Sequence, residues 1–399
     1  MNSRERVLTA LRHQEPDRVP IDLDGMASTG IMAVAYNRLK AHLGMTGGET
    51  KMYDVGQQLA HPEPPILERF GVDVLPLPGA INPTWQPWTL PDGSPALVPS
   101  TFNPVQNERG DWLIVNGAGQ VTAHMPAGAL YFSGLYHPLA EATTIAEIEA
   151  FMDAWPDISD EDLAWLRTEA RRLHDSTDKA IMGHFGGNIS ESAQSLRGWE
   201  QFMIDMAAQP KLAEALAQKL ADRWIANLTR YLDAVGDYIH IIQMGDDLGT
   251  QSGPQMSPRM YRQIIKPAHR RVYECVKANS DLYIFLHTCG SIYKLIPDLI
   301  EAGVDILNPV QISAAEMDPV RLKREFGRDV TFWGGGANTQ HVLPNATPGE
   351  VRQHVRELIE IFAPGGGFVF CQVHNIQANV PPENVVAMFE TALEFGRYS

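Results

Sequence analysis

A histidine and a cysteine separated by one residue, His287 and Cys289, are the first candidates for chemistry in this sequence. They follow the apolar run Tyr283-Ile-Phe-Leu and precede Gly290 and the amphipathic stretch 291–300, a pattern that predicts a buried strand, a loop and a helix. Imidazole and thiolate at this spacing are borderline-soft ligands that suit zinc. A core strand that ends in these two residues for packing reasons explains the stretch equally well when it is taken alone.

The bulk composition excludes several classes of protein. Of the 399 residues, 44% are hydrophobic and 20% are charged, which is typical of a soluble globular chain. Acidic residues outnumber basic ones by 48 to 32, for a formal net charge of -16. A negative field of this kind disfavours nucleic acid and anionic membranes as partners.

Cysteine usage and the N-terminus indicate a cytoplasmic location. Cys275, Cys289 and Cys371 are too few and too scattered for a disulfide framework. Cys275 lies in a predicted helix, and we expect no ligand role for it. Residues 1–12 form an amphipathic helix without the apolar core of a signal peptide, and no apolar run approaches the roughly 20 residues that span a bilayer.

Alternating strand and helix patterns run through most of the chain. The segments with strand character are 21–25, 72–77, 180–184, 238–243, 282–287, 306–308, 330–333 and 367–371. Repeated strand–helix units predict an α/β fold with a parallel sheet, and eight strands predict a closed (β/α)8 TIM barrel. Among the helices, 190–208 is predicted as one continuous segment.

Residues 80–142 have a different texture. Short apolar and aromatic runs around Trp85, Trp88 and Trp112 are separated by glycine-containing turns, which is typical of β-hairpins. We interpret this range as a β-rich insertion near the active-site face of a single barrel domain, 1–399, placed to roof the site. The alternative is a structural flap that does not contact ligand.

Polar residues recur at the predicted strand ends, where a barrel carries its active site. Each alone is best explained as a hydrogen-bonded core group, but their recurrence favours a functional site. Asp246 and Asp247 are adjacent carboxylates that suit acid–base work or a metal, and equally the capping of the following helix. With His184 they are the candidate catalytic residues. The candidate substrate-binding residues are Asp24, Asn188, Gln243, Gln311 and Asn375.

A catalytic zinc usually has three protein ligands and one open position. His287 and Cys289 supply two ligands. Cys371, at the end of the last predicted strand, and His374, three residues further on, are both candidates for the third, and Asp247 is another. A sulfur-containing site of this kind suits the deprotonation of a thiol or the polarisation of an ether oxygen.

Several motifs together resemble the uroporphyrinogen decarboxylase superfamily. They are Pro16-Asp-Arg-Val-Pro20, Asp246-Asp-Leu-Gly249, His287-Thr-Cys-Gly290, Gly303-Val-Asp-Ile-Leu-Asn-Pro309 and the closing stretch from His374-Asn-Ile to Pro382-Glu-Asn384. The resemblance implies a (β/α)8 barrel, in agreement with the strand count. Decarboxylases of the superfamily carry an Arg-Gln-Ala-Gly-Arg stretch after the first strand, whereas this chain has Asp22-Leu-Asp-Gly-Met-Ala27 without arginine. The chain therefore resembles the methyltransferase branch more closely.

That resemblance implies zinc bound through a His-x-Cys…Cys pattern and a corrinoid cofactor, of the methylcobalamin type, carried by a partner protein. His287, Cys289 and Cys371 stand at the positions of the pattern, with His374 as the alternative. The implied activity moves a methyl group between the corrinoid and a small molecule, either an O-methyl compound or a thiol. A metal-free decarboxylase and a non-catalytic binding barrel are the competing hypotheses. The donor or acceptor, the direction of transfer and the oligomeric state, for which a homodimer is one option, do not follow from the sequence.

Overall fold

A parallel sheet of seven strands forms the centre of the computed structural model, which describes residues 1–79 and 84–398. Its strands, from one edge to the other, are Val74–Pro76, Ala180–Gly186, Ile241–Gly245, Tyr283–His287, Ile306–Asn308, Thr331–Trp333 and Phe368–Val369. His287 is paired with Gly245 on one side and with Asn308 on the other. The carboxyl ends of these strands therefore open on one face, which we call the barrel mouth.

Backbone hydrogen bonds around Ile21 close this sheet into a barrel. The Asp22 N–H donates to the Phe370 carbonyl over 2.9 Å, and the Phe370 N–H donates to the Pro20 carbonyl over 2.8 Å. On the other side, the Asp73 N–H donates to the Ile21 carbonyl over 2.8 Å. The segment around Ile21 is therefore the remaining strand, and the predicted (β/α)8 TIM barrel is confirmed.

The barrel interior is filled by apolar side chains, because parallel strands in a barrel are buried on both faces. Its members include Val74, Ala180, Met182, Ile241, Phe285, Ile306, Trp333, Val369 and Cys371. The Trp333 indole N–H donates to Asp22 Oδ2 over 2.8 Å, so this buried polar atom is satisfied.

Helices pack around the strands. The longer ones are Ser3–Leu11, Ala33–His42, Pro64–Arg69, Ile145–Ala154, Asp160–Ser176, Ser190–Arg197, Trp199–Ala208, Pro210–Val235, Lys266–Asn279, Ile296–Ala302, Pro319–Phe326, Pro348–Phe362 and Pro382–Phe395. Short helical turns cover Ala27–Thr29, Pro258–Met260, Tyr261–Ile265 and Tyr293–Leu295. Within residues 1–79 and 84–398, no helix combines the length and apolar character needed to cross a membrane.

The prediction of one continuous helix over residues 190–208 is wrong, because the structure has two helices there. Gly198 separates Ser190–Arg197 from Trp199–Ala208 and has a φ of 85°. A residue in this left-handed region interrupts the helical hydrogen bonds, and glycine adopts it without steric cost.

Short antiparallel strands lie between the barrel strand Val74–Pro76 and the helix Ile145–Ala154. They are Trp85–Thr89, Pro95–Pro99, Val105–Gln106, Trp112–Val115, Val121–Met125 and Ser133–Gly134, and a separate small sheet contains Ile31–Met32, Met52–Asp54 and Leu59–Ala60. Tyr131 reaches the barrel mouth, where its hydroxyl donates to Asn375 Oδ1 over 3.4 Å and accepts from Gln377 Nε2 over 2.5 Å. The predicted β-rich segment near the active-site face is therefore confirmed.

The boundaries of this segment as an insertion remain a proposal. Residues 80–83, at the predicted start of the range 80–142, lie outside the described residues. The assignment of 1–399 to one barrel domain is likewise a proposal about domain organisation.

Candidate metal centre

Three side chains meet at the barrel mouth: His287, Cys289 and His374. One nitrogen of each imidazole and the Cys289 Sγ all lie within 4.8 Å of one another. The Sγ is 3.3 Å from His287 Nε2, and the two imidazole rings are edge to face with their centroids 5.9 Å apart. Two imidazoles and a thiolate are a donor set that fits zinc and leaves a coordination position open.

Asn308 fixes the orientation of the His287 ring. Asn308 Nδ2 donates to the Trp333 carbonyl over 2.9 Å, so its Oδ1 faces His287. This Oδ1 accepts from His287 Nδ1 over 2.7 Å and from Ser28 Oγ over 2.8 Å. Because the amide oxygen only accepts, a proton must be on Nδ1, which leaves Nε2, on the side of Cys289, as the nitrogen that can bind a metal.

Burial decides the protonation of the other two donors. Burial and the neighbouring His287 lower the pKa of His374 to about 4, so this imidazole is neutral at neutral pH, as a metal ligand must be. Burial and the Asp247 carboxylate raise the pKa of the Cys289 thiol well above its usual range. Metal binding at this site must therefore release the proton of Cys289.

The sequence offered several candidates for the third ligand, and the structure gives them different surroundings. His374 lies with His287 and Cys289. Asp247 lies beside them, since its Oδ1 accepts the Cys289 N–H over 2.8 Å and is 3.7 Å from His287 Nε2. Cys371 is fully buried among the apolar side chains of the barrel interior. It follows Val369 by two residues and therefore faces the same side of the strand.

Asp246, which the sequence suggested as a catalytic carboxylate, is directed into the protein. Its side chain is fully buried, and its Oδ2 accepts from the Ser190 N–H over 2.7 Å and contacts His269 Nε2 at 2.8 Å. Its Oδ1 accepts from the Glu191 N–H over 2.7 Å. Asp246 thus caps the helix Ser190–Arg197, which precedes it in the chain, and holds that helix at the site.

Glu191, in the first turn of that helix, was missed by the sequence analysis. Asn188 Nδ2 donates to Glu191 Oε2 over 2.5 Å. Burial and the Asp246 and Asp247 carboxylates raise the pKa of Glu191 to about 7, so it can exchange a proton near neutral pH. A glutamate in the first turn of a helix is common, so its position in the sequence gave no signal.

The pKa of Glu191 predicts a pH-dependent stability. Because the folded-state pKa of about 7 exceeds the usual carboxyl value, the stabilisation from protonated Glu191 is present in acid and is lost as the pH rises through 7. We expect Glu191→Gln to gain unfolding temperature relative to the wild type at about pH 8, and the gain to shrink at about pH 5. The exposed Glu161→Gln is the control. The same pH profile for the wild type and Glu191→Gln would contradict the prediction.

Two of the predicted substrate-binding residues share a cavity with His374. This cavity has a volume of about 610 Å³ and is lined by Gln311 and Asn375 together with Leu130 of the β-rich segment. Gln311 Oε1 accepts the Gly290 N–H over 2.8 Å, which ties it to the loop that carries Cys289. The cavity therefore borders the candidate metal centre.

Asp24 and His184 line a second cavity at the barrel mouth, with a volume of about 780 Å³. Burial lowers the pKa of His184, and its Nδ1 lies 3.1 Å from Gln243 Oε1. Gln243 thus supports His184, as Asn188 supports Glu191. The two cavities therefore contain five of the predicted site residues: Asp24 and His184 in one, and Gln311, His374 and Asn375 in the other.

Comparisons with known proteins agree with the barrel. The family model of uroporphyrinogen decarboxylase (URO-D) matches residues 137–395. A methylated-thiol–coenzyme M methyltransferase of Methanosarcina mazei is 27% identical over 142 residues, which cover 32% of this chain and 35% of that protein. The match thus spans about a third of the relative's length. A solved methyltransferase structure from Methanosarcina mazei has the same fold, with a TM-score of 0.62, 16% identity and 99% of each chain covered.

The family model covers more than half of the chain, and the relative that is 27% identical is a methyltransferase. The chain therefore belongs to the uroporphyrinogen decarboxylase superfamily, and its likeness within that superfamily is to the methyltransferase branch.

Proposed function

We propose that this chain is a zinc-dependent methyltransferase that moves a methyl group between a small molecule and a corrinoid carried by a partner protein. The observation that carries the proposal is the group of His287, Cys289 and His374 at the mouth of a barrel of this superfamily. The name of the Methanosarcina mazei relative, which refers to a methylated thiol, supports transfer at a heteroatom. Bound zinc would supply Lewis-acid polarisation of a thiol sulfur or an ether oxygen.

The chain's own residues have distinct tasks in this proposal. His287, Cys289 and His374 hold the metal, and Asn308 keeps the lone pair of His287 directed at it. Asp247, whose side chain is 34% exposed, lies beside the metal ligands and would accept the proton that a substrate thiol loses.

The cavity beside His374 suits an uncharged polar partner. Its amide side chains are Gln311, Gln340, Asn375, Gln377 and Asn379. Amides hydrogen-bond to other amides without carrying charge, which suits the carboxamide groups at the rim of a corrinoid ring. Tyr131 of the β-rich segment is hydrogen-bonded to Asn375 and Gln377, which both line this cavity, and so fixes their side chains.

Zinc analysis combined with a methyl-transfer assay tests the proposal. We expect about one zinc per chain in protein purified without added metal, and methyl transfer between free methylcobalamin and a small thiol. His374→Ala should lose the zinc, whereas Cys371→Ala should keep it because Cys371 lies in the apolar barrel interior.

The outcomes separate the competing functions. Reduced wild-type protein without zinc, or zinc-loaded protein that transfers no methyl group from any donor tried, would overturn the proposal. Release of carbon dioxide from a carboxylic acid by the zinc-free protein would favour the decarboxylase instead. Loss of zinc from Cys371→Ala but not from His374→Ala would show that Cys371, and not His374, is the third ligand.

A further inference from the structure

A third cavity, with a volume of about 420 Å³, lies between the small sheet and the β-rich segment. Its lining comes from the strand Met52–Asp54 and the residues that follow it, and from several of the short strands between residues 85 and 132. The large apolar side chains that line it are Met52, Trp88, Phe102, Trp112, Met125 and Phe132. This size and apolar character are typical of a small-molecule site.

The described residues that line this cavity carry no ionisable side chain. Its polar side chains are the neutral Gln58, Thr89 and Gln106, of which the last two are exposed. The cavity of about 780 Å³, by contrast, is lined by charged residues that include Asp24 and Lys51. A charged ligand in the smaller cavity would lose its hydration without gaining an ion partner, so the lining favours a neutral ligand.

The aromatic rings in the lining are tilted against one another. The ring centroids of Trp88 and Trp112 are 5.4 Å apart with the planes at 54°, and those of Trp88 and Phe102 are 5.4 Å apart at 63°. Phe102 and Phe132 are perpendicular, with their centroids 6.1 Å apart. These pairs do not form a slot between two parallel faces, and the flexible thioethers of the two methionines adapt to a rounded surface. The lining therefore favours a bulky saturated ligand over a flat one.

Gln58 fixes the wall of this cavity on the side of the barrel mouth. It is buried, its φ of 56° lies in the left-handed region, and its Nε2 donates to the Leu130 carbonyl over 3.1 Å. Such a conformation persists in a residue other than glycine only where the surrounding structure holds it. Leu130 lines both this cavity and the one beside His374. The cavity is therefore preformed and is distinct from the one at the candidate metal centre.

We propose that this cavity is a second small-molecule site, which binds a neutral, bulky saturated compound such as an alicyclic or branched aliphatic alcohol. The ligand displaces water from the apolar side chains, and this displacement is the main source of its affinity. A hydroxyl group on the ligand would remain in water beside the exposed Gln106. The inference does not depend on the metal or on methyl transfer.

Isothermal titration calorimetry with four probes of similar size tests this inference on the protein as purified. 1-Adamantanol is neutral and rounded, whereas 1-adamantylammonium and 1-adamantanecarboxylate carry a positive and a negative charge on the same cage. 2-Naphthol is neutral and flat. We expect the wild type to bind 1-adamantanol with a Kd below about 1 mM. This affinity should be at least about tenfold higher than for either charged probe and at least about threefold higher than for 2-naphthol.

A variant that fills the cavity locates the binding site. Ala129 lines the cavity, and Ala129→Trp should weaken the binding of 1-adamantanol at least about tenfold because the added indole occupies the space. Ala207→Trp, at an exposed position on the helix Trp199–Ala208, is the matched control and should leave the affinity unchanged.

A nearly isosteric variant at the rim tests the location without filling the cavity. Gln106→Glu adds a negative charge, so it should raise the affinity for 1-adamantylammonium relative to 1-adamantanecarboxylate at least about threefold. Gln353→Glu, which adds the same charge at an exposed position on the helix Pro348–Phe362, should not change this ratio.

Two results with the wild type would overturn the inference, and neither depends on the folding of a variant. One is the absence of binding by 1-adamantanol, and the other is an equal or higher affinity for a charged probe or for 2-naphthol. Unchanged binding of 1-adamantanol by folded Ala129→Trp would overturn it as well, because the probe would then bind elsewhere. An unchanged ratio of the two charged probes in Gln106→Glu would have the same meaning.

Discussion

Replacing Cys289 with alanine should remove the metal and the methyl-transfer activity together. Cys289 supplies the sulfur of the candidate metal centre, and its thiolate would provide the negative charge that offsets a bound zinc ion. The two remaining imidazoles are too few ligands for a stable zinc site. We expect the zinc content to fall from about one per chain to below about a tenth, and the transfer rate to fall more than about a hundredfold.

Cys275→Ala is the matched control for this variant. Cys275 lies on the helix Lys266–Asn279, with its Sγ 3.8 Å from Thr229 Oγ1, and is not part of the metal group. It should keep both zinc and activity. The metal content, measured by mass spectrometry, and the transfer rate are determined for both variants. A Cys289→Ala protein that keeps zinc but loses activity would show that Cys289 contacts the substrate and is not a metal ligand.

Asp246→Ala should destabilise the fold by on the order of 4 kcal/mol, because it leaves buried hydrogen-bond donors without an acceptor. The donors are the N–H groups of Ser190 and Glu191 and the facing nitrogen of His269. The N-terminus of the helix Ser190–Arg197 would also lose its capping carboxylate. Chemical denaturation at neutral pH measures the change in the free energy of unfolding.

Asp233→Ala gives the comparison at the surface. Asp233 pairs with Arg167 at 2.6 Å, but its side chain is 81% exposed, so its removal should change stability by less than about 1 kcal/mol. An Asp246→Ala protein as stable as the wild type but inactive would show that Asp246 acts in the chemistry rather than in holding the helix. Asp246→Asn keeps one acceptor oxygen, so its stability should lie between that of Asp246→Ala and that of the wild type.

The barrel was predictable because its strands have a simple pattern. A parallel strand buried on both faces is a nearly uninterrupted apolar run, as in Tyr283-Ile-Phe-Leu286, and each such run is separated from the next by a helix. The break at Gly198 was not predicted, because the apolar spacing continues through it. A single glycine inside a helical pattern is often tolerated, and only tertiary packing decides whether the helix stops there.

The candidate metal centre was predictable in part. His287 and Cys289 could be paired from the sequence because His287 ends a strand and Cys289 follows it after a single residue. The choice between Cys371 and His374 depends on how three residues turn after the last strand, and local patterns carry little information about such a turn. The alternation of side chains along a strand places Val369 and Cys371 on the same face, and this could be inferred from the sequence. It did not exclude that the Cys371 thiol lies at the barrel mouth.

Other site features depend on contacts between distant segments. The sequence placed Asp246 at the end of a strand, but its contact with a helix more than 50 positions earlier is a property of the fold. The pairing of Asp24 with His61 likewise joins two loops that share no sequence pattern. Such pairs become visible only when the chain is folded.

Closure of the barrel around Ile21 affects how this protein folds during translation. The strand at Ile21 completes its hydrogen bonds with Phe370, so the first strand of the barrel to be synthesised pairs only when the last one follows. Until then, the growing chain carries an open sheet edge that invites pairing with other chains. Such long-range closure is slow compared with local helix formation, so chaperone supply during translation should govern the yield of the folded enzyme.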